Sequence, residues 1–189
     1  MHRTKNLINI FVLIGYVVPV FIAGCAARPE KMIPPDYISS AKLAGSVKIT
    51  EVVGGHESTP FPLWTSYASS IDFTKAIAYS LARAGIFDSV VRSGNSDYIL
   101  DVTILSCDQP LLGLDISITM KTNWQLTDAK KLYPVWSKTF ETTFKAKVTE
   151  ALIPAEKSRL AYEGAVRANI TEGIKLLSEF AAEEQQKSP

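Results

Sequence analysis

The segment from Leu114 to Thr127 constrains the fold more than any other part of the chain, because its residues alternate in character with a period of two. Side chains of a β-strand point alternately to opposite faces of the sheet. One set is mainly apolar and the other polar: Leu114, Ile116, Ile118, Met120, Thr122, Trp124 and Leu126 against Asp115, Ser117, Thr119, Lys121, Asn123, Gln125 and Thr127. The pattern predicts a sheet with one dry face and one wet face, as antiparallel sheets often have.

Other strands are predicted on both sides of this segment. A partner strand follows the turn at Asp128 to Lys131 and runs from about Val135 to Val148. Its inward side is interrupted by Lys138 and otherwise consists of Trp136, Phe140, Phe144, Ala146 and Val148. Three earlier segments, 46–53, 86–92 and 97–107, also have the residue types and turn boundaries of strands.

Two segments have helical periodicity. In the first, Ser69 or Ser70 is a suitable N-cap and Gly85 a suitable stop. The inward side of this helix is formed by Phe73, Ala76, Ile77, Ser80, Leu81 and Ala84. The second helix begins at Pro154, a residue favoured in the first turn, and extends to about Ala182. A stripe of small residues predicts its close approach to the surface that it covers: Ala161, Gly164, Ala165 and Ala168.

The long helix also carries polar residues that need an explanation. Arg159, Glu163 and Arg167 follow one another at intervals of four, which predicts a ladder of ion pairs on the surface. Asn169 is a poor helix former, and one interpretation is that its side chain bonds to a loop.

The predicted elements follow the order β-α-β-β-β-β-α over residues 46–182. Because one face of the sheet is wet, both helices should cover the other face. The sequence therefore predicts an α+β fold, a two-layer sandwich with a mostly antiparallel sheet of about five strands and two helices on one face.

The first 24 residues have the order of a signal peptide. Arg3 and Lys5 lie in a basic start, an apolar run extends from Leu7 to Ile22, and small residues precede Cys25. The stretch Ile22-Ala23-Gly24-Cys25 resembles the lipobox of bacterial lipoprotein signal peptides. The resemblance implies cleavage between Gly24 and Cys25 and attachment of the membrane lipid to Cys25. An uncleaved transmembrane anchor is the alternative.

The residues after the cysteine bear on location and reach. In the lipoprotein pattern an Asp in the next position favours the inner membrane, so Ala26 implies the outer membrane, on the side facing the periplasm. Residues 25–45 include Pro29, Pro34 and Pro35 and predict a free lipidated tether, which could extend to at most ~70 Å. Residues 183–189 predict a disordered tail.

Charge and cysteine content restrict the partners. The full chain has 20 Lys and Arg against 19 Asp and Glu, and loss of Arg3 and Lys5 with the leader leaves 18 against 19, a net charge of −1. Nucleic acid is therefore not expected as a partner, since it requires a basic excess. With Cys25 lipidated, Cys107 has no disulfide partner in the chain, and such a cysteine is typically a packed residue.

No pattern in the sequence indicates catalysis, a cofactor or a metal. His56 is the only histidine after the leader, and it provides too few ligands for a metal site. There is no Gly-x-Ser-x-Gly stretch that could position a nucleophile. Lys121, Lys145 and Lys147 on the wet face indicate a solvated surface, with a patch for an anionic ligand as the alternative. The chain is accordingly predicted not to be an enzyme and to need no cofactor.

The loop before the first helix contains Phe61, Leu63 and Trp64, which is more apolar surface than a connection requires. One interpretation is a lid that folds over the end of the core. The other is an exposed aromatic anchor for a protein partner or for the lipid surface, since aromatic residues are enriched at binding hot spots.

The chain is similar to a class of small envelope lipoproteins that includes the ABC-transport auxiliary lipoproteins and, by architecture, the lipopolysaccharide-assembly lipoprotein. The similarity spans roughly 46–182 and is carried by Phe73, Ala76, Ser80-Leu81, Ala84-Gly85-Ile86-Phe87, Asp97-Tyr98-Ile99-Leu100, Trp124-Gln125-Leu126 and Val135-Trp136. It implies a non-catalytic accessory subunit that binds other envelope proteins. The alternative function is a carrier that holds an amphipathic ligand, such as a lipid, between sheet and helices.

Overall fold

The computed structural model describes residues 27–35, 37–54, 70–108, 116–146 and 154–187. Within these ranges six strands form one sheet, and three helices accompany it. In chain order the elements are α1 (Pro29–Met32), β1 (Leu43–Ile49), β2 (Val53–Gly54), α2 (Ser70–Ala84), β3 (Phe87–Val91), β4 (Tyr98–Asp108), β5 (Ile116–Asp128), β6 (Tyr133–Ala146) and α3 (Pro154–Lys187). None of the helices in the described ranges is both long and apolar enough to span a membrane.

The sheet is mixed, with the strand order β3-β1-β4-β5-β6 and with β2 also paired to β4. β1 is parallel to β3 and to β4, whereas β4, β5 and β6 are antiparallel neighbours. The predicted α+β fold is confirmed. The predicted first strand, 46–53, is divided into β1 and β2, and between them the backbone N–H of Val52 donates to the Thr74 hydroxyl on α2 (2.9 Å).

The dry face of the sheet is the one that the alternation in β5 predicts. Ile118, Met120, Thr122, Trp124 and Leu126 are each at most 2 % exposed. The long helix α3 covers this face, and two glycines let it approach closely. A Cβ atom at Gly164 would overlap the ring of Phe144, and one at Gly173 would lie 2.6 Å from Cζ2 of Trp124. The predicted close packing of α3 is therefore confirmed.

The helix α2 also agrees with its periodicity. Its buried residues are Phe73, Ala76, Ile77, Ser80, Leu81 and Ala84. Gly85 has a φ of 68°, a conformation that ends helices at little cost in glycine, and its N–H donates to the carbonyl of Leu81 (3.2 Å). The helix follows β2 and precedes β3 in the chain, so it forms the connection between strands in the parallel part of the sheet.

The long helix extends five residues past its predicted end at Ala182. Glu184 and Lys187 form an ion pair in its last turn (2.8 Å), and the Gln185 amide donates to the carbonyl of Lys42 (3.1 Å). The prediction of a disordered tail from residue 183 is therefore wrong as far as Lys187, because side-chain contacts stabilise the final turn.

The predicted free tether is wrong for the part that the structure describes. Residues 27–35 and 37–42, hereafter the strap, lie against the helices and include the short helix α1. Met32 is completely buried, and Ala27 and Ala41 are also part of the hydrophobic core. These apolar side chains hold the segment on the domain despite its prolines.

Candidate functional site

The strap follows α3 along much of its length and is held by hydrogen bonds at several levels. At one end the N–H of Arg28 donates to Oε1 of Glu163 (2.8 Å). One turn further along α3, Nη1 of Arg167 donates to the carbonyl of Lys31 (2.7 Å). These bonds hold the chain against α3 from Arg28 onward.

The remaining contacts define the direction of the strap. The hydroxyls of Ser39 and Ser178 share a buried hydrogen bond (2.5 Å), and Gln185 reaches the carbonyl of Lys42. The partners on α3 thus advance from 163 to 185 as the strap advances from 28 to 42, so the two run in the same direction over about 33 Å. The N-terminal end of the strap consequently lies towards the beginning of α3.

A buried ion pair lies under this end of the strap. Arg159 is 5 % exposed and Glu163 is 2 % exposed, and Nη1 of Arg159 lies 2.9 Å from Oε1 of Glu163. Nη2 of Arg159 also lies 3.4 Å from the half-exposed Glu156. Nε of Arg159 is buried without a hydrogen-bond partner in the described part of the chain.

The predicted surface ladder of ion pairs on α3 is therefore wrong. Glu163 is covered because its carboxylate accepts the backbone N–H of Arg28. Arg167 does not complete the ladder, since its guanidinium binds the strap and lies 5.8 Å from the centroid of the Phe144 ring. Helical spacing placed these residues on one side correctly, but it could not show that the strap covers that side.

Asn169 binds the sheet, and the interpretation that it bonds to a loop is wrong. Its side chain is fully buried, and its Oδ1 accepts hydrogen bonds from Thr122 Oγ1 (3.1 Å) and Trp124 Nε1 (3.3 Å). Its Nδ2 donates to Thr122 Oγ1 (3.0 Å). The amide thereby satisfies the polar atoms that β5 carries on its dry face.

A cleft of about 660 Å³ opens between α1, α2 and the parallel part of the sheet. Its volume is in the range of small-ligand pockets, roughly 300–1,000 Å³. The wall is mainly apolar and carries Lys75, Arg92 and Glu30 as its charged members. The apolar part includes Ile33, Ile49, Ala78, Tyr79, Ala82 and Val90. At Gly164 and Gly173 the space under α3 is filled, whereas the space beside α2 is open.

The wet face of the sheet is polar and its side chains bond to one another. The hydroxyls of Thr119 and Thr143 are 2.9 Å apart. Asn123 donates to Ser137 (3.1 Å) and to Thr139 (3.0 Å) across the β5–β6 pair. Lys121 and Lys145 are exposed on this face, as predicted.

The described residues offer no activated nucleophile at Cys107 and no metal cluster. Burial, and to a lesser extent the nearby Asp108, raises the pKa of the Cys107 thiol to about 11. The thiol is therefore protonated at neutral pH, and the thiolate is the reactive form. No group of three or more His, Cys, Asp or Glu residues that could bind a metal occurs in the described ranges.

Several predicted site residues lie outside the described residues. These are the cleavage and lipidation residues Gly24 and Cys25, the apolar loop residues Phe61, Leu63 and Trp64, and also His56 and Lys147. Their roles remain predictions. The strap was not predicted as part of any site.

No protein-family model matches the chain, and no curated protein matches it. Among solved structures, protein XCC0632 from Xanthomonas campestris, of the family DUF330, is similar with a TM-score of 0.63 and 14% identity, over 85% of this chain and 98% of that one. A predicted lipoprotein from Caulobacter crescentus CB15 is similar with a TM-score of 0.50 and 12% identity, over 72% of this chain and 90% of that one. At such identities the similarity shows a shared fold.

Proposed function

We propose that this chain is a non-catalytic lipoprotein of the bacterial envelope, anchored through Cys25 to the outer membrane and facing the periplasm. Its task in this proposal is that of an accessory subunit that binds other envelope proteins. The observation that carries the proposal is the lipobox-like stretch Ile22-Ala23-Gly24-Cys25 directly before the strap. The fold shared with a predicted lipoprotein from Caulobacter crescentus adds support.

The test of attachment is the variant Cys25→Ser in a bacterial host that processes lipoproteins. We expect loss of acyl labelling, accumulation of the uncleaved precursor and loss of the protein from the outer-membrane fraction. The matched control is Cys107→Ser, which removes the other cysteine of the chain and should leave labelling and fractionation unchanged. Normal labelling of Cys25→Ser would refute the proposal.

A second candidate function, a carrier of an amphipathic ligand, is favoured by the cleft beside α2. Its apolar wall would cover an acyl chain, and Lys75 and Arg92 would face an anionic headgroup. Native mass spectrometry of the purified protein tests this by detecting a co-purifying lipid. Ala82→Trp fills the cleft and should remove that lipid, whereas Thr139→Trp on the wet face should retain it. A lipid-free wild-type protein would refute the carrier function.

A further inference from the structure

The strap changes how far the domain can stand from its anchor. Only Ala26 and Ala27 lie between Cys25 and Arg28, and Arg28 is bonded to Glu163 on α3. Three residues of fully extended chain span at most about 11 Å. If Cys25 carries the lipid, the bilayer surface therefore passes within about 11 Å of Arg28, in place of the ~70 Å reach that a free tether would give.

The contacts of α3 identify which end of the domain lies next to Arg28 and therefore next to the bilayer. Phe144 packs near Gly164 and Trp136 near Phe180, so α3 runs antiparallel to β6. The beginning of α3, the end of β4, the start of β5 and the end of β6 therefore share one end of the domain. From Glu163 the helix continues nine residues back to Pro154, about 14 Å in this direction. That projection exceeds the reach of the chain from Arg28 to Cys25.

We infer that this end of the domain is a membrane-contact surface that the short link from Cys25 to Arg28 holds against phospholipid headgroups. The inference rests on the proposed lipidation of Cys25. It gives the domain one orientation, in which the beginning of α3 faces the bilayer and the turn between β5 and β6 points away from it.

The distribution of charge along α3 favours this upright orientation over one in which the helix lies flat. Outside the buried pair of Arg159 and Glu163, the half from Pro154 to Ile170 has two basic residues, Lys157 and Arg167, against one acidic residue, Glu156. The strap adds Arg28 and Lys31 against Glu30. The half from Thr171 to Lys187 has two basic residues against four acidic ones. Basic side chains are attracted to anionic headgroups, so the first half should face the membrane and the second half should be repelled.

Site-specific quenching tests the orientation in the full chain. A Cys107→Ser background receives one fluorophore-labelled cysteine at a time, at Lys145 or Glu156 near the predicted contact and at Lys131 or Glu183 at the far end. The lipidated protein is reconstituted in vesicles of phosphatidylethanolamine and phosphatidylglycerol that contain a lipid with a nitroxide headgroup. We expect strong quenching of the fluorophore at positions 145 and 156 and little quenching at positions 131 and 183.

A linker variant provides the matched control. Twelve Gly and Ser residues inserted between Ala26 and Ala27 add up to about 40 Å of chain and leave every strap contact in place. This variant should lose the difference between near and far positions. Equal quenching at all four positions in the original chain, or strong quenching at Glu183, would overturn the inference.

Mass spectrometry of the same sample separates the two proposals. A chain without lipid on Cys25 would refute the lipoprotein function and this inference with it. A lipidated chain whose four positions are quenched equally would refute only the membrane-contact surface.

Discussion

Removal of the charge of Glu163 is the most direct test of the buried pair under the strap. Glu163→Gln preserves the size of the side chain and an oxygen that can accept the N–H of Arg28. It leaves the guanidinium of Arg159, 5 % exposed, without its closest anionic partner at 2.9 Å. The remaining partner, Glu156, is half exposed and 3.4 Å away.

The size of the effect follows from the burial of both groups. Breaking a buried pair by removal of one partner costs about 3–5 kcal/mol, because an uncompensated charge stays buried. Glu156 compensates in part, so we expect a loss near the lower limit, about 3 kcal/mol. Urea unfolding followed by circular dichroism should then show a midpoint lowered by roughly 1–3 M, given ordinary denaturant slopes.

Two controls make the result specific. Glu172→Gln breaks an exposed pair on the same helix, with Lys175 at 3.8 Å, and such pairs contribute about 0–1 kcal/mol. The double variant Arg159→Met with Glu163→Gln removes the buried charge as well and should recover much of the lost stability. If Glu163→Gln lowers the midpoint no more than Glu172→Gln does, the pair is solvated and the reasoning is refuted.

The remaining predictions concern the core, acid stability and the apolar loop. Asn169→Leu should lower the free energy of unfolding by about 1–3 kcal/mol for each donor left without a partner, Trp124 Nε1 among them. Gly164→Leu should lower it by about 1–3 kcal/mol through overpacking. An unchanged urea midpoint in either variant would contradict the corresponding prediction. Asp97 should titrate with a pKa of about 2 by NMR, lowered mainly by the hydrogen bond from the Ser46 backbone. Its contribution to stability should be full above its unfolded pKa of about 3.9 and be lost as the pH falls through about 2, and Asp97→Asn should remove that dependence. Trp64→Ala should weaken capture of partners in crosslinking with little change in melting if the loop is a contact site; a loss of about 3–5 kcal/mol would instead identify it as a lid.

The sheet and the two long helices could be predicted because their patterns depend on geometry alone. In β5, Ile118 to Leu126 must alternate if one face is buried, and in α2 the inward positions repeat with the helical period. The division of the first strand was missed because the bond from the Val52 N–H to Thr74 joins residues 22 positions apart, a contact that no local pattern contains.

The strap could not be predicted, because its main contacts to α3 use backbone atoms. The N–H of Arg28 and the carbonyls of Lys31 and Lys42 meet side chains of the helix, and every residue type other than proline has both groups. In sequence, the strap shows only prolines and isolated apolar residues, which is the pattern of a linker. The sequence did contain one signal for the strap, and it was on the helix. Glu163 lies beside the small-residue stripe, which faces the sheet, so its carboxylate would be covered and would need a buried partner.

The strap also changes what partner binding would require. A domain on a free tether searches a large volume, and its effective concentration near any one partner falls as the tether lengthens. If Cys25 carries the lipid and the domain stands in the proposed upright orientation, it stays within about 11 Å of its anchor. Each surface then keeps a fixed height, because α3 extends about 50 Å away from the bilayer. Residues at the beginning of α3 can then contact only headgroups or membrane-embedded partners. The turn between β5 and β6 can meet only components that reach some 50 Å from the bilayer. The height above the bilayer at which a partner crosslinks to the domain therefore reports directly on whether the strap stays bound to α3.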